Sequence, residues 1–580
     1  MLPPLLSVLP TLLSPGHIVG DGVDAFGTGW FFWWIRACVT HLGNPSWTPL
    51  FFAPDGKDIF SHTGNNFVDA VFSVPFQVLF GGSWSAPFTL FLLAGNAWSF
   101  EQLAKELWPD TRDVVAATLA WMVNPYVIFE LTAGRPTQAC MWWLPLALVG
   151  LWRVCRGDGA RAAVLLGVAT ALTGWTYWFA GYFLAFLMLP LCLWWGGFRR
   201  LPALALAAAV CTVLVLPMGV GMQASWAAGQ VPGVASGGPR QANVSEDLHG
   251  IYLMETQGAP LLTQPAWAFA ALLGLWKGGS AGRKWAAIAL LLVLIGLGAR
   301  VSDHKILNPV WAAVSHLPFL SRLWFPYRLT MVILIPFTAL AVLAWQATGR
   351  SVRAAAAFFV VSLAGEAYAG VFPLNHHAAS CPPLLIDAAR EPGTFLFLPS
   401  GIQSDALLWQ TQFQRPTFGG MGESARAFWP EAYRDRVRTP WFRALASAVN
   451  SGPPSSPSSG PTSMEKITPE PAENPFDETG LRWVVLRRDL LLGLWHKEQD
   501  EGSKTTIQER DAYTVDQLIT LLGEPAAADD TLILWDLKGR YANPNFTLTP
   551  ERRRTPPPDT ERRSAVEMGL IRLGRAHQSH

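Results

Sequence analysis

Charge is scarce in this sequence. Of its 580 residues only 15% are Asp, Glu, Lys or Arg, where a soluble globular chain carries about 25%. With 51% of residues in the hydrophobic set and a mean hydropathy of +0.25, the shortage argues against a wholly soluble enzyme and for a polytopic membrane protein. Net charge is lacking as well: 43 Lys and Arg stand against 42 Asp and Glu, no basic patch stands out, and nothing suits a nucleic-acid partner. Paired cysteines are also missing. Cys38, Cys140, Cys155, Cys192, Cys211 and Cys381 form no CxxC pair and keep no zinc-ligand spacing with histidine. Most lie in apolar runs, where a free thiol is a small hydrophobe, and only Cys38 and Cys381 could share an oxidising compartment. The absence of HExxH, and of any His pair at i, i+4, speaks against a zinc site.

Long apolar runs are what the chain does have. Runs suited to membrane helices, about 17 to 25 residues each, lie at Pro87–Leu103, Val114–Leu131, Gln138–Trp152, Ala162–Thr176, Tyr177–Trp195, Leu201–Val220, Pro260–Trp276, Trp285–Leu297, Phe325–Trp345 and Ala354–Phe372. Leu2–Val19 adds a first helix despite Pro3, Pro4, Pro10 and Pro15. No Lys or Arg precedes Arg36, so this segment lacks the basic start of a secretory signal; either the helix is atypical or the true start lies upstream. Phe67–Phe80, at about 14 residues, fits an interfacial or re-entrant segment better than a span. Kept out of the count, it leaves Lys105 and Arg112, Arg153, Arg156 and Arg161, Arg199 and Arg200, Lys277, Arg283 and Lys284, and Arg350 and Arg353 in cytoplasmic loops, as the positive-inside rule demands. Counted as a span, it would reverse every later loop.

The fold expected is therefore a polytopic α-helical membrane protein of about eleven transmembrane helices, followed by a small α/β extracytoplasmic domain. Residues 1–377 form the transmembrane domain, with outer loops 20–66 and 221–259, and Arg300–Trp324 lies on the same outer side. Residues 378–540 form the outer domain, with strands at Thr394–Pro399, Leu481–Leu486 and Thr531–Leu537 and a helix at Ala512–Leu522 ended by Gly523-Glu524-Pro525. The Pro-, Ser- and Gly-rich insert 451–475 reads as a linker or disordered loop, and residues 541–580 as a disordered tail.

The first outer segment holds the most unusual chemistry. Gly20-Asp21-Gly22-Val23-Asp24 places two carboxylates directly after an apolar helix, where a partly desolvated Asp can act as a general base or hold a cation. The plain structural alternative is that Asp21 and Asp24 solvate a helix end. Trp30, Trp33 and Trp34 follow on a segment expected to lie in the interface. Most of the 28 Trp residues are accounted for by an aromatic belt, and some in outer loops could stack on sugar rings. Asp55 serves its Pro54-Asp55-Gly56 turn.

The order of these features resembles a family. GDGVDAFGTGWFFWWIR, then PSWTPLFFAPDGKDIFSHTGNN and an apolar hairpin, is similar to the start of bacterial membrane glycosyltransferases of the GT-C superfamily, which use polyprenyl-phosphate-linked sugars. Ala133-Gly134-Arg135, Trp142-Trp143-Leu144-Pro145, Trp324-Phe325-Pro326-Tyr327-Arg328, Gln410-Thr411-Gln412-Phe413, Thr417-Phe418-Gly419-Gly420 and Trp483-Val484-Val485-Leu486-Arg487-Arg488-Asp489 extend the likeness over most of the chain. The resemblance rests on order and position. It implies an essential acid in the first outer loop, here Asp24 or Asp21, with Asp24 favoured as the base on the acceptor hydroxyl. Many members carry an adjacent acidic pair, whereas Gly22-Val23 separates these two, so the division of roles and the use of a divalent metal stay open.

A leaving lipid phosphate wants cations at the membrane surface. Arg135, Arg240, Lys305, Arg322 and Arg328 are the outer-side candidates, with Arg322 and Arg328 flanking Trp324–Tyr327 as the preferred contacts. His62, Asn65, Asn66 and Asp69, and in the later loop Asp247, His249 and Glu255, are candidate substrate-binding groups. The function expected is transfer of a sugar from a polyprenyl-phosphate carrier to an envelope glycan, glycolipid or protein, in a membrane taken to be the bacterial inner membrane. The alternatives are a transporter or flippase of lipid-linked sugar and a non-catalytic assembly protein. Transporters place charges near the midplane of their helices, and Glu130 is the residue that favours that alternative.

Overall fold

The computed structural model describes residues 2–41, 43–59, 67–227, 265–297, 300–301, 306–314, 317, 326–368, 372–400, 405–421, 429–450, 480–493 and 506–538. The insert 451–475, the tail 541–580 and most of loop 221–259 lie outside the described residues. The chain divides into two compact units, one made of Met1–Gly43, Thr63–Ser225 and Gly233–Ser380, the other of Asn44–His62, Trp226–Pro232 and Cys381–His580.

The first unit is helical and makes the chain an integral membrane protein. Among the described residues, Thr111–Thr132, Gly197–Ala224, Gly279–Gly296 and Thr330–Ala347 are long and apolar enough to cross a membrane. Shorter apolar helices include Phe67–Ser83, Ala160–Thr176, Trp178–Trp194 and Ala266–Lys277. The first helix covers only Leu2–Leu12. Pro15 cannot continue the backbone ladder and Gly16 turns at φ +77°, so the chain leaves the helix and enters strand His17–Val19. That strand pairs antiparallel with His376–Ala378, Val19 opposite His376 and Ile18 opposite His377.

Two spans, Thr111–Thr132 and Thr330–Ala347, frame the membrane unit. Thr111–Thr132 is interrupted where Asn124 caps a new helix by accepting the Val127 N–H, with Pro125 in the first helical position. Together its two parts pack against Thr330–Ala347, and the two spans run antiparallel. At one end, Asp113 accepts from Gln346 Nε2 at 2.8 Å and from Arg350 Nε at 3.0 Å. At the other end stand Glu130 on the first span and Arg328 just before the second. The first span is long and apolar enough to cross a membrane, and these two clusters stand at its opposite ends.

The second unit is built on a four-stranded sheet in the order Ala527–Ala528, Leu532–Asp536, Leu481–Arg487, Thr394–Leu398. Its last pair is parallel and the others antiparallel. Alternate apolar side chains put Phe395, Trp483, Val485, Leu532 and Leu534 into one core with Leu385, Trp409 and Phe413 from helices Pro383–Ala388 and Ala406–Phe413. Helix Ile507–Leu522 opens on a capping box between Thr506 and Glu509. The segment Asn44–His62, expected in an outer loop of the membrane part, is drawn into this unit. Phe52 and Ala53 N–H groups donate to Gly419 and Thr417 carbonyls, Thr417 N–H donates to Leu50 O, and the buried Lys57 ammonium donates to Met421 O at 2.7 Å.

Candidate functional site

The Gly20–Asp24 segment is fixed by its neighbours on both sides. Gly20 N–H donates to Asn375 O at 2.6 Å, beside the two-stranded pairing, and Asp21 N–H donates to Thr132 O at 3.1 Å, at the end of the first span. Gly20 and Gly134 meet backbone to backbone. Both have positive φ, +88° and +70°; a Cβ on Gly20 would fall 2.3 Å from Gly134 Cα, and one on Gly134 would fall 2.1 Å from the Ala25 Cβ. No side chain fits there, which gives the Ala133-Gly134-Arg135 motif a physical reason: its glycine lets the Arg135 turn press against the start of helix Val23–His41. Asp24 lies in the first turn of that helix, where the helix dipole favours a carboxylate.

Two charge networks result. In the first, Arg135 reaches outward through Nη1 to Asp24 Oδ2 at 3.2 Å and inward through Nε to Glu130 Oε2. Glu130 is fully buried, Arg135 is 13% exposed and Asp24 is 51% exposed, so the arginine links a buried carboxylate to an exposed one. Its guanidinium also stands 5.3 Å from the Phe129 ring centre. Nearby, Arg328 Nη1 donates to the hydroxyl of buried Tyr177 at 2.8 Å, and Tyr177 lies in the field of Arg328, Glu130 and Arg135 together. Two arginines and an exposed carboxylate therefore gather at one end of the two spans.

In the second network, His377 Nδ1 lies 3.1 Å from Asp21 Oδ1, with the His377 ring edge-on to Phe26. The hydrogen bond from His377 holds the Asp21 carboxyl below its usual 3.8; partial burial opposes it and the Gly22 N–H, at 2.7 Å, adds to the lowering. A depressed carboxylate stabilises the fold above its unfolded value, and that contribution is lost as pH falls through the folded one. The melting temperature of Asp21→Asn is accordingly expected to trail the wild type at about pH 5 and to draw level with it as pH falls below about 4, measured by tryptophan fluorescence in detergent. A margin that does not shrink in acid would contradict the pairing.

Of the residues proposed from sequence, Asp21, Asp24, Arg135 and Arg328 are brought to this end of the unit. Arg322, His62, Asn65, Asn66, Asp247 and His249 lie outside the described residues, as do Arg240, Lys305 and Glu255. Asp69 is not an open group: it is fully buried and accepts from Thr137 Oγ1 at 2.7 Å, so it braces the turn that carries Arg135. Asp55 is held by Arg436. Trp30 is buried, stacked on Trp34 with ring centres 5.7 Å apart. His377 and Tyr177 were missed, since no local pattern marks either. Asp21 and Asp24 already have His377 and Arg135 as partners. Among the described residues no three His, Cys, Asp or Glu side chains converge as metal ligands.

No protein-family model and no curated protein matches the chain. Solved structures do resemble it. The Archaeoglobus fulgidus oligosaccharyltransferase in its apo form matches at 12% identity with a TM-score of 0.44, over 85% of this chain and 70% of that one. The A. fulgidus oligosaccharyltransferase AglB in complex with an inhibitory peptide and a dolichol-phosphate matches at 12% identity and a TM-score of 0.41, over 84% and 69%. ArnT from Cupriavidus metallidurans bound to undecaprenyl phosphate matches at 14% identity and a TM-score of 0.37, over 94% and 99%. Likenesses of this size carry no argument about the site.

Proposed function

We propose that the chain is a membrane glycosyltransferase that moves a sugar from a polyprenyl-phosphate carrier to an envelope glycan, glycolipid or protein on the extracytoplasmic side. The carrying observation is the exposed Asp24 carboxylate beside Arg135, with Arg328 close by, at the end of two spans, where the phosphate of a membrane-embedded carrier would lie. Asp24 takes the proton of the acceptor hydroxyl as its oxygen bonds to the anomeric carbon. The bond from that carbon to the phosphate oxygen breaks, and the phosphate leaves with the electron pair beside the Arg135 and Arg328 guanidiniums. Glu130 holds Arg135 in place from inside.

The charge pattern supports the orientation. Arg112 and Arg350 stand at the other ends of the same spans, in loops that the positive-inside rule places in the cytoplasm. In this reading the chain crosses the bilayer about eleven times, Phe67–Phe80 stays in the interface, and residues 378–540 form an extracytoplasmic domain of a bacterial inner-membrane protein. Glu130 is the observation that favours a transporter. It lies two residues from the end of its span rather than at the midplane, and Arg135 already engages it.

Mass spectrometry of lipid-linked sugars and envelope glycans from a deletion strain tests the proposal. The expected result is a polyprenyl-phosphate sugar that accumulates and one sugar missing from the envelope. Unchanged profiles for both would contradict it.

A further inference from the structure

The far end of the two spans carries a second feature that sugar transfer does not use. A cleft of about 770 Å³ opens between helices Thr111–Met122, Pro265–Lys277, Thr330–Ala347 and Val352–Tyr368, within the range of sites that hold a ligand of substantial size. Nine of its 23 lining residues are alanine, among them Ala116, Ala120, Ala270 and Ala355. Small residues on membrane helices ordinarily let the backbones close up, whereas here they leave a channel between the helices. Two of its larger apolar side chains stay uncovered: Val115 is 52% exposed and Phe269 68%.

The mouth is polar, with Arg112 and Arg350 among its lining residues and Asp110 and Asp113 beside them. Arg112, exposed at the start of the first span, has acids on both sides in the sequence, Asp110 and Asp113, and neither pairs with its guanidinium. Arg350 takes both, at 3.2 Å and 3.0 Å. Gln346 adds a bond to Asp113, and the Asp110 side chain also accepts the backbone N–H of Arg112. Lys105, along the adjoining smaller cleft, is held by Glu101 at 2.7 Å. Arg112 has no acidic partner among the described residues. From it, the lining residue Leu119 lies two helical turns inward, about 10 Å into the bilayer core.

We propose that this cleft holds a phospholipid of net negative charge, its phosphate at Arg112 and its acyl chains along the alanine walls. The site belongs to the leaflet opposite the carboxylate site and is independent of the transfer reaction. An anionic phosphate gives the Arg112 guanidinium an ion-pair partner, and the chains fill space that no side chain of the described residues occupies.

Native mass spectrometry of the full-length protein, titrated with phosphatidylglycerol or phosphatidylethanolamine of identical chains, tests this. The wild type is expected to retain phosphatidylglycerol in preference. Arg112→Gln should lower that retention about five-fold, the contribution of one basic residue at an anionic surface, and lower phosphatidylethanolamine by clearly less. Ala116→Phe, which fills the cleft, should lower both lipids alike. Equal retention of the two lipids by the wild type, or undiminished phosphatidylglycerol in Arg112→Gln, would overturn the proposal.

Discussion

Asp24→Asn is expected to leave the protein folded and to lower sugar transfer by about 10²- to 10⁴-fold, the span associated with a positioned general base. The substitution changes little else. The side chain is half exposed and its one ion-pair partner among the described residues is Arg135, whose guanidinium can still donate to an amide oxygen. Asparagine is also well tolerated at a helix start, so the helix beginning at Val23 should persist. Conversion of the accumulated lipid-linked sugar by membranes containing equal amounts of wild type or variant measures the effect. A variant that turns over within about two-fold of wild type, against the loss expected of a base, would remove Asp24 from the chemistry.

Arg135→Met is expected to be the most destabilising single change in the site. It removes the only ion-pair partner that Glu130, which is fully buried, has among the described residues, and leaving a buried carboxylate alone costs about 3–5 kcal/mol. The methionine also cannot bind a phosphate, so transfer should fall for a second, separate reason. The double variant Glu130→Leu, Arg135→Met separates the two effects. Replacing both members of a buried pair with apolar groups is often neutral for stability, so the double variant should recover most of the lost melting temperature and none of the lost activity. A single variant as stable as wild type would show that Glu130 does not depend on Arg135.

The sequence was informative where chemistry sits next to an apolar run. Asp21 and Asp24 follow the first helix, and Arg135 and Arg328 flank two spans, so hydropathy and charge alone lead to the expectation that all four share one side. Short apolar runs likewise marked strands near Thr394–Leu398, Leu481–Arg487 and Leu532–Asp536. What failed was everything that depends on pairing between distant segments. His377 reaches Asp21 because His17–Val19 and His376–Ala378 form a two-stranded ladder, and three residues on each side give no periodic signal. The order of the four-stranded sheet has the same cause. The ion pair of Glu130 was not legible for a different reason: its partner stands five residues on, beyond the helix end, and comes back where the chain turns at Gly134. The capture of Asn44–His62 by the second unit rests on backbone hydrogen bonds to Thr417 and Gly419, which side-chain patterns do not report.

The most direct test of the central claim uses the lipid-linked sugar extracted from the deletion strain, added back to deletion-strain membranes that carry wild type, Asp24→Asn or no protein. The account predicts that wild type alone consumes it, releasing free polyprenyl phosphate as the sugar appears on an acceptor. If the sugar crosses the bilayer still bound to its carrier, or if Asp24→Asn releases polyprenyl phosphate as fast as wild type, catalysis at this site is contradicted.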